Sequence, residues 1–164
     1  MQRENETKTA ALIIGVVILI LSFWHISFLK VGIYIGCHPM QYLYYPFFHA
    51  NILHALLNVW TMLSVVFYCK VNPLKFIICY IIAVLPPDFC LQSIPTIGLS
   101  GFVFALLGSV TFCFRHPVRY IIQILLFVSA GLFFNNVAVI LHLWCFFCGL
   151  FVSVVSTPIK KEGK

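Results

Sequence analysis

Apolar residues in this 164-residue chain run in long unbroken stretches, not in the two-residue alternation of strands or the one-sided stripes of soluble helices. Six stretches stand out: Ala10–Leu29, Phe48–Tyr68, Phe76–Val84, Ser100–Phe114, Tyr120–Phe134 and Val137–Val155. The third extends toward Leu91 and is interrupted by Pro86-Pro87. A helix needs about 20 apolar residues, rising 1.5 Å each, to cross the hydrocarbon core. The pattern therefore predicts an all-α membrane protein, a bundle of six transmembrane helices spanning residues 10–155 between short tails at 1–9 and 156–164. The fourth stretch is short, with 15 residues before Arg115, and it follows Gln92-Ser93-Ile94-Pro95-Thr96-Ile97-Gly98. Irregular backbone at membrane depth is tolerated only where protein buries it or it lines a wet cavity. The 85–99 loop is thus expected to dip into the membrane, and the central fourth helix to start partway down, with Ser100 at its N-terminus.

Composition agrees and narrows the class. Hydrophobic residues make up 62% and charged residues 9%, against about 45–50% and about 25% in soluble domains. So few charges cannot cover the surface of a soluble domain, and mean hydropathy is +1.06. The net charge of +6 would suit a nucleic-acid partner, but the cations sit in short loops between apolar stretches. Arg3, Lys8, Lys70, Lys75, Arg115, Arg119, Lys160, Lys161 and Lys164 fall on one side and Lys30 alone on the other. The positive-inside rule then places both termini in the cytoplasm. The opposite face carries the 30–48 loop, the 85–99 loop and an Asn135-Asn136 turn. A cleavable signal peptide is not expected, because Arg3, Glu4, Glu6 and Lys8 mix signs and no small-residue cleavage site follows Leu21. The seven cysteines lie mostly in apolar stretches, where a free thiol packs as a small hydrophobe. Cys145 and Cys148 form a lone CxxC with no second pair, a poor metal or redox site.

Polar groups inside spans are costly and mark functional sites by default. Ser64, Ser109 and Ser129 can bond the carbonyl one turn back, His25 suits an interface, and Gln123 can snorkel. Four residues resist such readings. His54 and Asn58 are four apart and share a helix face; Ser100 and His142 come from two other spans at a similar depth. They could be an interhelical hydrogen-bond cluster. They could equally be a nucleophile with its base: a serine hydroxyl attacks once a neutral imidazole takes its proton, and donors must meet the oxyanion that forms. Asn58, His54 and the free Ser100 N–H could supply them. Asp88 is the only acid outside the tails, so the pair would act as a Ser–His dyad. Gly101, Ala105 and Gly108 form a small-residue stripe on the fourth span, and His142, Cys145 and Gly149 share a face of the sixth. Packing these stripes together would bring His142 over Ser100.

At these residues the chain resembles the rhomboid intramembrane serine proteases. Gly98-Leu99-Ser100-Gly101 matches GxSG, and Phe102 to Gly108 the helix that follows it. His49 to Asn58 reproduces HxxxxHxxxN, and His142 with Gly149 matches the helix of the catalytic histidine. The resemblance implies Ser100 as nucleophile, His142 as general base, and His54 and Asn58 as oxyanion side chains. It also implies that Gly98 and Gly101 shape the turn, that His49 has a rim or supporting role, and that Phe104 packs where the family often has a tyrosine on the histidine. The implied reaction is hydrolysis of peptide bonds in or beside transmembrane helices of protein substrates. It needs no metal or organic cofactor, and takes place in a lipid bilayer, with water entering from the outer face of a bacterial cytoplasmic membrane. Two departures stand out. The family's Trp-Arg pair of the first outer loop aligns near Met40-Gln41, which removes a stabilising charge. Cys145 replaces a usual glycine, which would push the sixth span outward. A rhomboid-like protein that binds membrane clients without cutting them is the alternative, and a small transporter, for which no repeat symmetry is found, is a third.

Overall fold

A computed structural model describes residues 2–133 and 137–156. The Asn135-Asn136 turn and the basic tail with Lys160, Lys161 and Lys164 lie outside the described residues. The described chain is all-α, with one isolated bridge between Ile33 and Thr96. Helices α1 (Gln2–Leu21), α4 (Ile52–Tyr68), α5 (Pro73–Val84), α6 (Ser100–Ser109), α7 (Pro117–Ala130) and α8 (Val139–Ser156) each carry one of the six apolar stretches. Two single-turn helices, α2 (Phe28–Val31) and α3 (Gln41–Tyr44), lie in the loop between α1 and α4.

The helix ends differ from the apolar stretches, and local chemistry explains where. Helix α1 begins at Gln2 and stops at Leu21, where the Ser22 hydroxyl donates to the Ile18 carbonyl at 2.7 Å and helps terminate the turn. Helix α4 starts at Ile52, because Asn51 is an N-cap whose side chain accepts the His54 N–H at 2.9 Å. Helix α5 opens on the Asn72 cap with Pro73 in its first turn, and ends before Pro86-Pro87. Helix α6 closes at Ser109, not Phe114. The Ser109 and Thr111 hydroxyls donate to the Leu106 and Gly108 carbonyls, and Lys75 Nζ donates to the Ser109 carbonyl at 3.1 Å.

Only α8 is by itself long and apolar enough to cross a membrane among the described residues. Gln41–Phe47 and Ile52–Tyr68 pass that test only as a pair bent by 94°. The other helices are shorter or, in α1, carry Glu4, Glu6 and Lys8. The outer surface is nevertheless apolar: Trp60 is 75% exposed and Phe127 70%. Water would not tolerate so continuous an apolar surface on a monomer.

The core centres on α6, which is buried everywhere except at Ser100 and Leu107. It packs most extensively on α8, then on α5 and α4, while α1 lies against α4 and α7 touches the bundle lightly. The α6–α8 contact is backbone on backbone. A Cβ at Gly149 would lie 3.0 Å from Ala105 Cα and closer still to the Ala105 carbonyl, and one at Gly108 would lie 2.7 Å from the Leu150 nitrogen. Cys145 packs into this contact, its sulfur 3.5 Å from where a Cβ at Gly101 would lie. The closest approach falls one turn further along, at Gly149.

Gln41 also departs from expectation. The missing charge leaves no gap, since the buried amide staples the first loop with three hydrogen bonds. Its Nε2 donates to the Leu29 and Gly32 carbonyls at 2.9 and 2.7 Å, and its Oε1 accepts the His38 N–H at 2.8 Å. A neutral amide is enough because its partners are backbone groups, not acids. Gln41→Ala takes a partner from the Leu29 and Gly32 carbonyls and from the His38 N–H, and should cost about 2–3 kcal/mol. Gln41→Glu, which keeps the shape but cannot donate when ionised, should cost at least as much. Thermal unfolding in detergent checks this, and equal melting temperatures for all three proteins would refute the staple.

Candidate active site

The Ser100 side chain stands at the start of α6, and a turn that needs a glycine presents it. Gly98 has φ +116, and a Cβ there would lie 2.9 Å from His54 Cε1, so this position combines a left-handed backbone with a close ring contact. Gly101 has no such dihedral. Its nearest neighbours would be the Tyr45 hydroxyl at 3.2 Å and Cys145 Sγ at 3.5 Å, so Gly101 serves helix spacing and Gly98 alone shapes the turn.

The turn is pinned from the segment before α4. The Gly98 N–H donates to the Tyr45 carbonyl at 3.0 Å, and the Leu99 N–H to His49 Nε2 at 3.1 Å. Tyr45 is fully buried, and its hydroxyl donates to the Ala83 carbonyl of α5 at 2.8 Å. His49 is buried, not at the rim. Since its Nε2 accepts, the neutral ring carries its proton on Nδ1, which is buried without a hydrogen-bond partner among the described residues. His49 lies before α4 begins and so escapes the helical register that would set it apart from His54: the two rings meet edge to face at 4.9 Å. Tyr45 carries no sequence signal of this role, whereas the Asn51 cap is legible as an asparagine preceding an apolar helix.

His142 lies in the first turn of α8, its N–H donating to the Ala138 carbonyl. Its Nε2 is 2.8 Å from Ser100 Oγ. With the imidazole proton on Nδ1, the Ser100 hydroxyl donates to Nε2, the polarity that general-base activation requires. Phe104, one turn along α6 from Ser100, stacks on the His142 ring at 4.6 Å and 29°. No carboxylate bonds the imidazole among the described residues, so its orientation comes from the helix start, the Ser100 bond and the Phe104 face.

A cleft of about 440 Å³ opens on the pair, lined by Ser100, His142 and His54, with Asn51 and Gln92 among its polar walls and Val137 among its apolar ones. Asn58 is buried one turn below His54 and does not line the cleft; its Nδ2 donates to the His54 carbonyl at 3.0 Å. Three of the four polar candidates thus meet in one cavity, and the fourth braces the turn that carries one of them. Among the described residues no group of three or more His, Cys, Asp or Glu could hold a metal ion.

Searches of curated proteins and of solved structures return no match. Residues 36–159, well over half of the chain, match the family model of the Rhomboid domain, so the stretch from the loop before α4 through α8 is covered, including every motif around Ser100, His54 and His142. The chain belongs to the rhomboid family, whose members are membrane proteins and generally serine proteases.

Proposed function

We propose that this protein is an intramembrane serine endopeptidase that cuts peptide bonds in or beside the transmembrane helices of other proteins. The observation that carries the reading is the 2.8 Å contact between Ser100 Oγ and His142 Nε2, at the wall of a cleft and on two different helices. In this reading Ser100 attacks the scissile carbonyl while His142 takes the hydroxyl proton, then returns it to the departing amine. The oxyanion is met by the Ser100 N–H at the free end of α6 and by the His54 side chain in the cleft. Asn58 keeps one amide N–H beyond its bond to His54 and supports that site from behind. Water then attacks the acyl-enzyme with His142 again as base.

The six longer helices are read as six spans, with the cations of the α4–α5 and α6–α7 connections on the cytoplasmic side. The cleft then opens to the outer face of a bacterial cytoplasmic membrane, and α6, too short to cross alone, is the central helix. A helical substrate hides its scissile carbonyl in hydrogen bonds, so substrates should carry small or helix-breaking residues near the cut.

A fluorophosphonate probe tests the assignment directly. The wild-type protein should be labelled, and Ser100→Ala and His142→Ala should not. Equal labelling of all three would place any reactive group elsewhere. No labelling of any, under detergent conditions where an active rhomboid is labelled, would favour a client-binding protein without proteolysis.

A further inference from the structure

We propose that the N-terminal end of α7 is a binding site for one anionic phospholipid, its phosphate held between Arg115 and Arg119 and an acyl chain laid along α7. A groove of about 700 Å³ lies here, away from the catalytic cleft, lined by Arg115, His116, Arg119 and Gln123 together with Val118 and Ile122. The inference rests on the membrane placement proposed above.

The spacing gives the groove its polarity. Val118 and Arg119 stand one turn from Ile122 on α7, at i+4 and i+3, and Arg115, in the bend before the helix, lines the same groove. Leu126 continues that face one turn further. Val118, Ile122 and Leu126 are 68%, 52% and 66% exposed. The surface therefore has two cations at one end and an apolar ladder leading away from them, the distribution of charge and hydrocarbon in a phospholipid. Basic pockets at the cytoplasmic ends of transmembrane helices recognise anionic headgroups on the same grounds.

Unlike Lys75 and Lys8, these arginines have no partner of their own among the described residues. Lys75 donates to the Ser109 carbonyl and caps α6, and Lys8 sits 5.4 Å over the Phe67 ring. Arg115 and Arg119 make no ion pair, hydrogen bond or ring contact among the described residues, and both are exposed. Lining one groove, the two guanidinium groups repel unless an anion lies between them. The apolar ladder selects a lipid phosphate over a free one, because a free phosphate leaves Val118 and Ile122 uncovered.

The test is native mass spectrometry of the full-length protein in non-ionic detergent, titrated with phosphatidylglycerol, phosphatidylcholine or inorganic phosphate. The expected result is a roughly tenfold or greater preference for phosphatidylglycerol over phosphatidylcholine, since each near-surface cation contributes severalfold. The preference should vanish in Arg115→Gln/Arg119→Gln and survive in Lys70→Gln. Equal adducts with both lipids, or a preference retained by the double arginine variant, would overturn the proposal. Displacement of the lipid by millimolar inorganic phosphate would overturn it too, by making the groove a free-anion site. The same titration on Ser100→Ala keeps the result independent of proteolysis, and alkaline extraction of membranes reports the membrane placement separately.

Discussion

Ser100→Ala should lower hydrolysis of a transmembrane peptide substrate by on the order of 10⁴-fold or more, and His142→Ala should do nearly the same. The double variant should be no slower than either single one. Nucleophile and base act as one unit: with no base the hydroxyl is not activated, and with no hydroxyl the imidazole has no proton to take. The 2.8 Å contact on which this rests joins α6 to α8 and has no carboxylate behind it. His54→Ala should cost less, about 10²–10³-fold, as for the loss of one oxyanion donor. That loss should fall on kcat more than on KM, since the contact strengthens only as charge develops on the oxygen. Single-turnover rates with a defined peptide in detergent would check the pattern. Additive losses in the double variant would mean that Ser100 and His142 act separately, which the geometry does not allow.

The elements were legible in the sequence because lipid imposes a simple requirement: backbone groups must bond within the segment and side chains must be apolar. All six stretches carry a helix. The ends were less legible, because hydropathy reports which residues meet lipid and not where the backbone turns. Phe23 and Trp24 are as apolar as α1, yet the chain has already left the helix at Ser22. In the same way Val110 to Phe114 continue the apolar run past the capped end of α6. The Ser100–His142 pairing was legible from two small-residue stripes, since a stripe of glycine and alanine fixes which faces meet. Gln41 and Tyr45 were not legible in this way. Their partners are backbone groups, at Leu29, Gly32 and Ala83, and a carbonyl leaves no mark in the sequence for a distant side chain to be matched against.

The small-residue contact between α6 and α8 gives the sharpest structural prediction. Gly149→Ala should destabilise the protein and abolish labelling of Ser100, although residue 149 lies two turns from His142. The added methyl meets the Ala105 carbonyl and lies 2.8 Å from its carbon. Both are main chain in the buried helix, with no flexible side chain to move aside. The helices must separate, at a cost of about 1–3 kcal/mol or more for overpacking. His142 rides on α8 while Ser100 stays on α6, so separation lengthens the 2.8 Å contact. A misplacement of about 1 Å in a catalytic pair can cost on the order of 10²-fold in rate. Gly101→Ala provides the graded comparison, because its methyl would have the Tyr45 hydroxyl at 3.2 Å and Cys145 Sγ at 3.5 Å. Those side-chain atoms need give only a few tenths of an ångström, so it should melt closer to wild type and retain part of its labelling. Melting temperatures in detergent and probe labelling, measured on the same preparations, decide between the two. If Gly149→Ala melts and labels like wild type, the helices are not in backbone contact, and the close approach of α8 to α6 cannot be what holds His142 against Ser100.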